Sequence, residues 1–179
     1  MSRNTKIINL ATEEALKSTQ TFRHGAVITK GSGKIICSGY NKGARTKILN
    51  QIFTCTHAEM DVLNKLVNCF LIPKYGKNYK QHCKKYSIWV TRIQRNGIDH
   101  LKTPKNKKKQ SLAEHLPIIN SDSKPCYFCS KMLKEFGIKR VYYTISSNEI
   151  EVSNVDQLIS NHKSDCQLKT EDFFKNNKI

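Results

Sequence analysis

Four residues in this chain stand at spacings that support chemistry. They lie in His57-Ala58-Glu59 and in Pro125-Cys126-Tyr127-Phe128-Cys129. One imidazole and two thiolates are three good zinc ligands. Three protein ligands leave the fourth tetrahedral position to water, which is the catalytic pattern rather than the closed structural one. Cys126 and Cys129 are three apart at the predicted start of a helix, so both sulfurs face one point. A helix N-terminus also favours the thiolate form. His57 opens another predicted helix, and Glu59 follows two residues later. At that spacing Glu59 projects beside the metal, where it can take a proton from an activated water and deliver it elsewhere. The expected cofactor is one catalytic Zn2+ per chain, with His57, Cys126 and Cys129 as ligands and Glu59 as the catalytic residue.

These motifs need elements to hold them. Asn4 or Thr5 is predicted to cap a helix running to about Ser18. Its apolar face is Ile7, Ile8, Ala11, Ala15 and Leu16, with Glu13 and Glu14 outward. Residues 25–30 and 34–40 read as a hairpin around Gly31-Ser32-Gly33, and 41–56 as a loop. Residues 57–70 fit a helix with Met60, Leu63, Leu66 and Val67 on one face. Residues 86–93 read as a strand in which Trp89 is core. Residues 126–136 form a predicted helix that stops at Gly137. A strand at 139–145 leaves room only for a tight turn before 149–152, which predicts an antiparallel final strand. A short helix near 155–159 and a polar tail complete the chain. Two segments, about 71–85 and 94–123, read as basic surface insertions; the second holds the run Lys105-Asn106-Lys107-Lys108-Lys109. The expected organisation is one domain over 1–152 and a C-terminal helix and tail over 153–179.

Composition narrows the function classes. The chain has 179 residues, one domain's worth. It lacks any apolar run of spanning length, so no membrane role is expected, and its first ten residues lack the apolar core of a secretory signal. Seven cysteines, an odd number, fit free thiols or metal ligands in a reducing compartment better than a disulfide framework. Cys37 and Cys55 read as small buried residues. Cys69, His82, Cys83, His100 and His115 match no ligand spacing. The formal net charge is +17. Basic residues number 27 against 8 acids through Arg140, and Glu59 and Asp61 are the only acids between Ala15 and Ile98. Such a field attracts phosphate-bearing partners, nucleotides or nucleic acid. Lysines outnumber arginines 25 to 6, and it is arginine that forks onto phosphate and reads bases. Arg23 and His24, at the start of a strand, are candidates to meet a phosphate.

H-x-E followed by P-C-x-x-C is the signature of zinc nucleobase deaminases. Around it stand Gly25-Ala-Val-Ile28, Gly39-Tyr40-Asn41, Thr56-His-Ala-Glu-Met60, Ser123-Lys-Pro-Cys-Tyr-Phe-Cys129 and Gly137-Ile-Lys-Arg-Val-Tyr-Tyr143. Over residues 22–152 the chain resembles the cytidine/deoxycytidylate deaminase superfamily. The resemblance implies a three-layer α/β/α sandwich with a mixed sheet of about five strands. It implies hydrolysis of a base's exocyclic amine, most simply cytosine to uracil in a nucleotide such as dCMP. A deaminase of cytosine or adenine within RNA or single-stranded DNA is the alternative, and a non-catalytic zinc-stabilised nucleic-acid-binding module is the second. Carried onto this chain, the family pattern gives substrate contacts to the Asn41 side chain, the Ala58 N–H, the Lys124 carbonyl and the Tyr143 ring. Arg45 is a phosphate candidate, although no Gly directly follows Asn41. An intracellular, cytoplasmic or nuclear, homo-oligomeric enzyme is the matching expectation. The chain departs from the common pattern in the 69 positions between His57 and Cys126, where both insertions fall.

Overall fold

The computed structural model describes residues 2–44, 46–48, 51–53, 55–95, 118–147, 149–164 and 168; for 46–48, 51–53 and 95 it describes the backbone alone. Arg45, His100, His115 and the Lys105–Lys109 run lie outside the described residues.

Strands β1 (Arg23–Lys30) and β2 (Lys34–Tyr40) form the expected hairpin, and β5 (Tyr86–Arg95) pairs antiparallel with the other side of β1. β7 (Arg140–Thr144) runs parallel to β5, and β8 (Ile150–Asn154) returns antiparallel to β7, as the short turn requires. The sheet order is β2-β1-β5-β7-β8. A sixth strand, β6 (Ile118–Ser121), pairs antiparallel with Arg92–Arg95, beyond the Ser87–Val90 stretch that β7 uses. It comes from a segment the sequence marks as a surface insertion. Within 41–56, read as loop, β3 (Thr46–Ile48) and β4 (Gln51–Phe53) form a separate small hairpin.

Strand alternation divides the core into two layers. Ala26, Ile28, Ile88, Val90, Val141 and Tyr143 pack on α2 (Ala58–Lys65) and α5 (Tyr127–Phe136), through Val62, Leu63, Met132, Leu133 and Phe136. The intervening Val27 and Trp89, with Tyr142, face Ile7, Ile8 and Ala11 of α1 (Arg3–Leu16). The Trp89 and Tyr142 rings stack at 3.8 Å, and the indole N–H donates to Thr29 Oγ1 at 3.0 Å. The result is the expected α/β/α sandwich.

Helix α1 differs in detail from its expectation. Ser2 is its cap, accepting from the Thr5 N–H at 3.2 Å. Leu16 is exposed, whereas Glu14 is buried, accepting from Ser38 Oγ at 2.8 Å and Lys17 Nζ at 2.7 Å. A buried carboxylate is tolerated when it is bonded in this way. Gly25 lies where α1 crosses β1, and a Cβ there would run into the backbone of Ala11 and Ala15. Gly25→Ala is therefore expected to destabilise the protein by about 2 kcal/mol or more, since neither wall is a side chain that can swing away. A denaturant melt with an unchanged midpoint would contradict this.

The 71–85 segment is more than a surface addition. After α2 the chain continues through a π-helical stretch, Leu66–Leu71, then α3 (Ile72–Tyr75), a 3-10 turn (Gly76–Asn78) and α4 (Lys80–Cys83). Leu71, Tyr79 and Cys83 are buried in the main core, and the Tyr79 ring packs against Phe136. Cys55 is disulfide-bonded and only half-buried, against its reading as a small buried thiol. Cys37, also half-buried, points its S–H at the Val62 carbonyl, and burial pushes its thiol up to about 12. Past β8 the chain makes a 3-10 turn (Val155–Gln157) rather than a longer helix. It then returns to α5, where the His162 carbonyl accepts from the Tyr127 N–H at 2.8 Å.

Candidate active site

Two helix N-termini meet on one face of the sheet. His57 is the N-cap of α2 and Cys126 the N-cap of α5, both with extended backbones. A residue in that conformation aims its side chain beyond the helix end, where first-turn N–H groups have no helical carbonyl to bond. The arrangement brings His57 Nδ1 to 3.5 Å from Cys126 Sγ and 3.3 Å from Cys129 Sγ. The three ligand atoms all lie within 4.8 Å of one another. A tetrahedral zinc with Zn–S near 2.3 Å and Zn–N near 2.05 Å separates N from S by about 3.5 Å. The donor set and its spacing therefore fit such an ion.

The protonation pattern suits a cation as well. A hydrogen bond from Cys129, helped by His57, outweighs burial and brings Cys126 down to about 4, so it is the thiolate of the pair. Burial first, then the hydrogen bond to Cys126 and the Glu59 and Cys126 charges, holds Cys129 well above the usual thiol range. Burial works against a charged His57, but the Cys126 hydrogen bond and the Glu59 charge prevail and raise it. A divalent cation entering such a set displaces protons from it. Glu59 is 4% exposed, and its carboxyl is pushed up chiefly by burial, against the pull of His57.

Two anchors hold the ligands, and neither was singled out from the sequence as part of the site. Ser123 is buried three residues before Cys126. Its hydroxyl donates to the Val90 carbonyl at 2.9 Å and accepts from the Thr144 N–H at 2.9 Å, while its own N–H donates to the Thr144 carbonyl at 2.9 Å. The approach to Pro125-Cys126 is thus tied to the middle of β5 and the end of β7. Asp61, two residues past Glu59, is the second anchor. It accepts from Lys42 Nζ at 2.9 Å, Lys65 Nζ at 2.9 Å and the Tyr40 N–H at 3.3 Å. Lys42 in turn forms a two-bond backbone bridge with Thr56, at 2.8 and 2.9 Å, directly before His57. The rarity of acids across the basic stretch was the one available signal for Asp61.

Asp61→Ala leaves two lysines and an N–H without their shared acceptor. The lysines are about a third exposed, so water recovers part of the loss. The expected cost is about 1–3 kcal/mol, with smaller damage in Asp61→Asn, which keeps an acceptor for Tyr40. Paired thermal melts of the two variants measure this, and equal midpoints would refute the ranking.

The other expected site residues divide. Asn41 uses its side chain on the protein: Nδ2 donates to the Phe22 carbonyl at 2.7 Å, and Oδ1 accepts from the His24 N–H at 2.8 Å. An amide carries two N–H groups, and one suffices for Phe22. The Ala58 N–H lies in the first turn of α2, at a fully buried residue. Lys124 is exposed, its N–H donating to Asp122 Oδ1 at 2.9 Å. Tyr143 is a core residue, 2% exposed, with its hydroxyl bonded to Glu151, so its ring presents no open face to a base. His24 is half-buried, and burial first, then His57 and Arg92, brings its imidazole down to about 4.

No family model matches the sequence, and no curated protein does. Among solved structures, a cytidine deaminase from Burkholderia pseudomallei aligns with 91% of this chain and 100% of its own, at 16% identity and a TM-score of 0.53. A dCMP deaminase from the cyanophage S-TIM5, in apo form, aligns over 81% of this chain and 86% of its own, at 18% identity and a TM-score of 0.43. The first of these likenesses establishes the fold: the chain has the cytidine-deaminase architecture.

Proposed function

We propose that this chain, which proceeds from the cytidine-deaminase fold, is a zinc-dependent hydrolase that converts cytosine to uracil in a cytidine or deoxycytidine nucleotide. One observation carries the reading. Three zinc-type ligands converge at 3.3 and 3.5 Å, and a buried glutamate follows the histidine ligand by two residues. A purely structural metal site has no use for a buried carboxylate at that position. When bound, zinc supplies the Lewis acidity that makes water a nucleophile at neutral pH.

The chain's own residues do the rest. Glu59, its carboxyl raised by burial, accepts a proton from the attacking water. It passes that proton to the ring nitrogen, then takes the second proton from the hydroxyl added to the ring carbon and gives it to the amine as the C–N bond breaks. Water and cytosine thus become uracil and ammonia with no other reactant. The Ala58 N–H and the Lys124 carbonyl read the base edge, and the Asn41 amide reaches the sugar. The +17 net charge favours a substrate that carries phosphate.

The test is to incubate zinc-loaded protein with dCMP, CMP, cytidine, single-stranded DNA and tRNA, and to measure ammonia release and base conversion. Conversion of the monophosphates ahead of the others is expected. Conversion of polymers alone would move the substrate, and no conversion by protein that holds zinc would overturn the enzyme.

A further inference from the structure

We infer that the end of the molecule opposite the candidate active site binds the backbone of a single-stranded nucleic acid, through Lys30, Lys74, Lys84 and Lys85 gathered around the stacked rings of Tyr75 and His82. This surface stands apart from the deaminase reading, because a different face and different residues carry it.

Chain geometry places the cluster. Lys30 closes β1, six residues beyond His24, so about 20 Å of strand separates them. His24 marks the other end, close enough to His57 for that charge to act on it. On the neighbouring layer the helical run from His57 to Leu71 covers about the same 20 Å, at about 1.5 Å per residue. The 72–85 segment therefore begins where β1 ends and β5 starts. There the Gly31 N–H donates to the Lys85 carbonyl at 3.3 Å. Lys30 is in register with Tyr86, and its Nζ stands 5.7 Å from the centre of that ring. Lys74 Nζ stands 5.4 Å from the centre of the Tyr75 ring, and the Tyr75 and His82 rings stack at 3.6 Å with 13° between their planes.

Charge and shape both suit a polyanion. Among the described residues none of the four lysines has an ion-pair partner. Their charges converge on one group: after burial, Lys85, Lys30, Lys74 and Lys84 push the His82 imidazole down. Glu135 of α5 brings an acid to the same segment, at Tyr79, and leaves the four lysines unpaired. Ammonium groups gathered in this way repel one another, and a row of phosphates relieves the repulsion while releasing its own counterions. The stacked Tyr75–His82 pair is half-buried, a platform that an unpaired base can extend. Lysine rather than arginine supplies the charge, so the contact is with backbone and is independent of sequence. An anionic membrane is the poorer match, although Phe70 and Ile72 are exposed in the same stretch. Helices α3 and α4 have four residues each, and a single turn presents too little apolar face to enter an interface.

The probe is a fluorescent oligodeoxythymidylate of about 12 nucleotides, which offers neither cytosine nor adenine to a deaminase. Its anisotropy is read against zinc-loaded protein across a salt series. Wild-type protein is expected to bind it, with an affinity that falls as salt rises. The triple variant Lys74→Gln, Lys84→Gln, Lys85→Gln is expected to flatten the log–log salt slope by about two units, at roughly 0.7 for each phosphate contact. Tyr75→Ala is expected to weaken binding about five- to hundredfold at every salt concentration with the slope unchanged, the span of one stacked base, and Tyr75→Phe to retain it. A control triple variant, Lys17→Gln, Lys124→Gln, Lys131→Gln, removes three exposed lysines from the other end of the molecule and is expected to move the slope far less. Equal flattening by the two triple variants overturns the surface, since net charge alone then explains the binding. A larger effect in the control overturns it too, and lays the strand across the candidate active site. So does wild-type protein that ignores the oligonucleotide at low salt, including the case in which it binds phosphatidylserine vesicles instead. Melting midpoints separate local loss from unfolding, and the exposed lysine triple keeps the test if Tyr75→Ala does not fold. Protein that binds oligothymidylate in the expected way yet releases no ammonia from dCMP would end the deaminase reading and leave this surface standing.

Discussion

Glu59→Gln is expected to keep zinc bound and to lower kcat by about 10²–10⁴, the range of a positioned general acid–base group. The amide preserves size and much of the hydrogen bonding but cannot carry the proton between water, ring nitrogen and amine. The loss should fall on kcat, with KM nearly constant, because the residue acts on the proton rather than on substrate binding. Steady-state kinetics beside metal analysis of the same sample measures this. Wild-type turnover in the variant would show that the proton moves through another group. Retained zinc is as informative as lost rate, since it separates a residue beside the metal from one bound to it.

Cys129→Ser is expected to abolish tight zinc binding, and with it both activity and a large part of the stability. Cys129 is fully buried in the main core, and a metal held by it together with His57 and Cys126 would join the first turns of α2 and α5. Where a binding site exists only in the folded state, binding free energy is folding free energy, and structural zinc reaches about 10 kcal/mol or more. A catalytic site with three protein ligands contributes less; about 5 kcal/mol would correspond to about 10–20 °C of melting temperature between loaded and chelated wild-type protein for a chain of this size. Cys126→Ser should behave in the same way. Melting curves with and without chelator, beside one zinc per chain in the wild type, check both. Undiminished stability and activity without metal would falsify the zinc assignment.

Much of the architecture was legible because it depends on neighbours in sequence. Short runs of apolar and β-branched residues at 25–30 and 86–93 mark strands, and because both faces are buried their alternate residues serve two core layers. Gly137 takes the left-handed conformation (φ 78°, ψ 24°) that stops α5. The five positions between β7 and β8 leave room only for an antiparallel return. The zinc-type ligands belong to the same class: an i, i+3 cysteine pair at a helix start, and a histidine capping another helix, carry their direction with them.

Other features depended on partners far along the chain. Helical periodicity places Glu14 and Leu16 at the margins of one stripe. In the fold Glu14 is the buried one, bonded by the hydroxyl of Ser38, 24 positions away, and Leu16 is left to solvent. A tyrosine in a strand can face a ligand or a core, and Glu151 on β8 claims the hydroxyl of Tyr143. Leu71, Tyr79 and Cys83 sit among lysines that read as surface, yet their apolar groups reach Phe136 and the main core. Asp61 is an acid on a helix until Tyr40, Lys42 and Lys65 converge on it.

By itself, the sequence placed His57, Cys126 and Cys129 at spacings that converge in the fold, because residue type and short-range periodicity are properties of neighbouring positions. Which residues share a face across different strands and which charges are buried were decided by the tertiary structure. Those facts follow from strand register, and register is set by the packing of the whole sheet rather than by any segment of it.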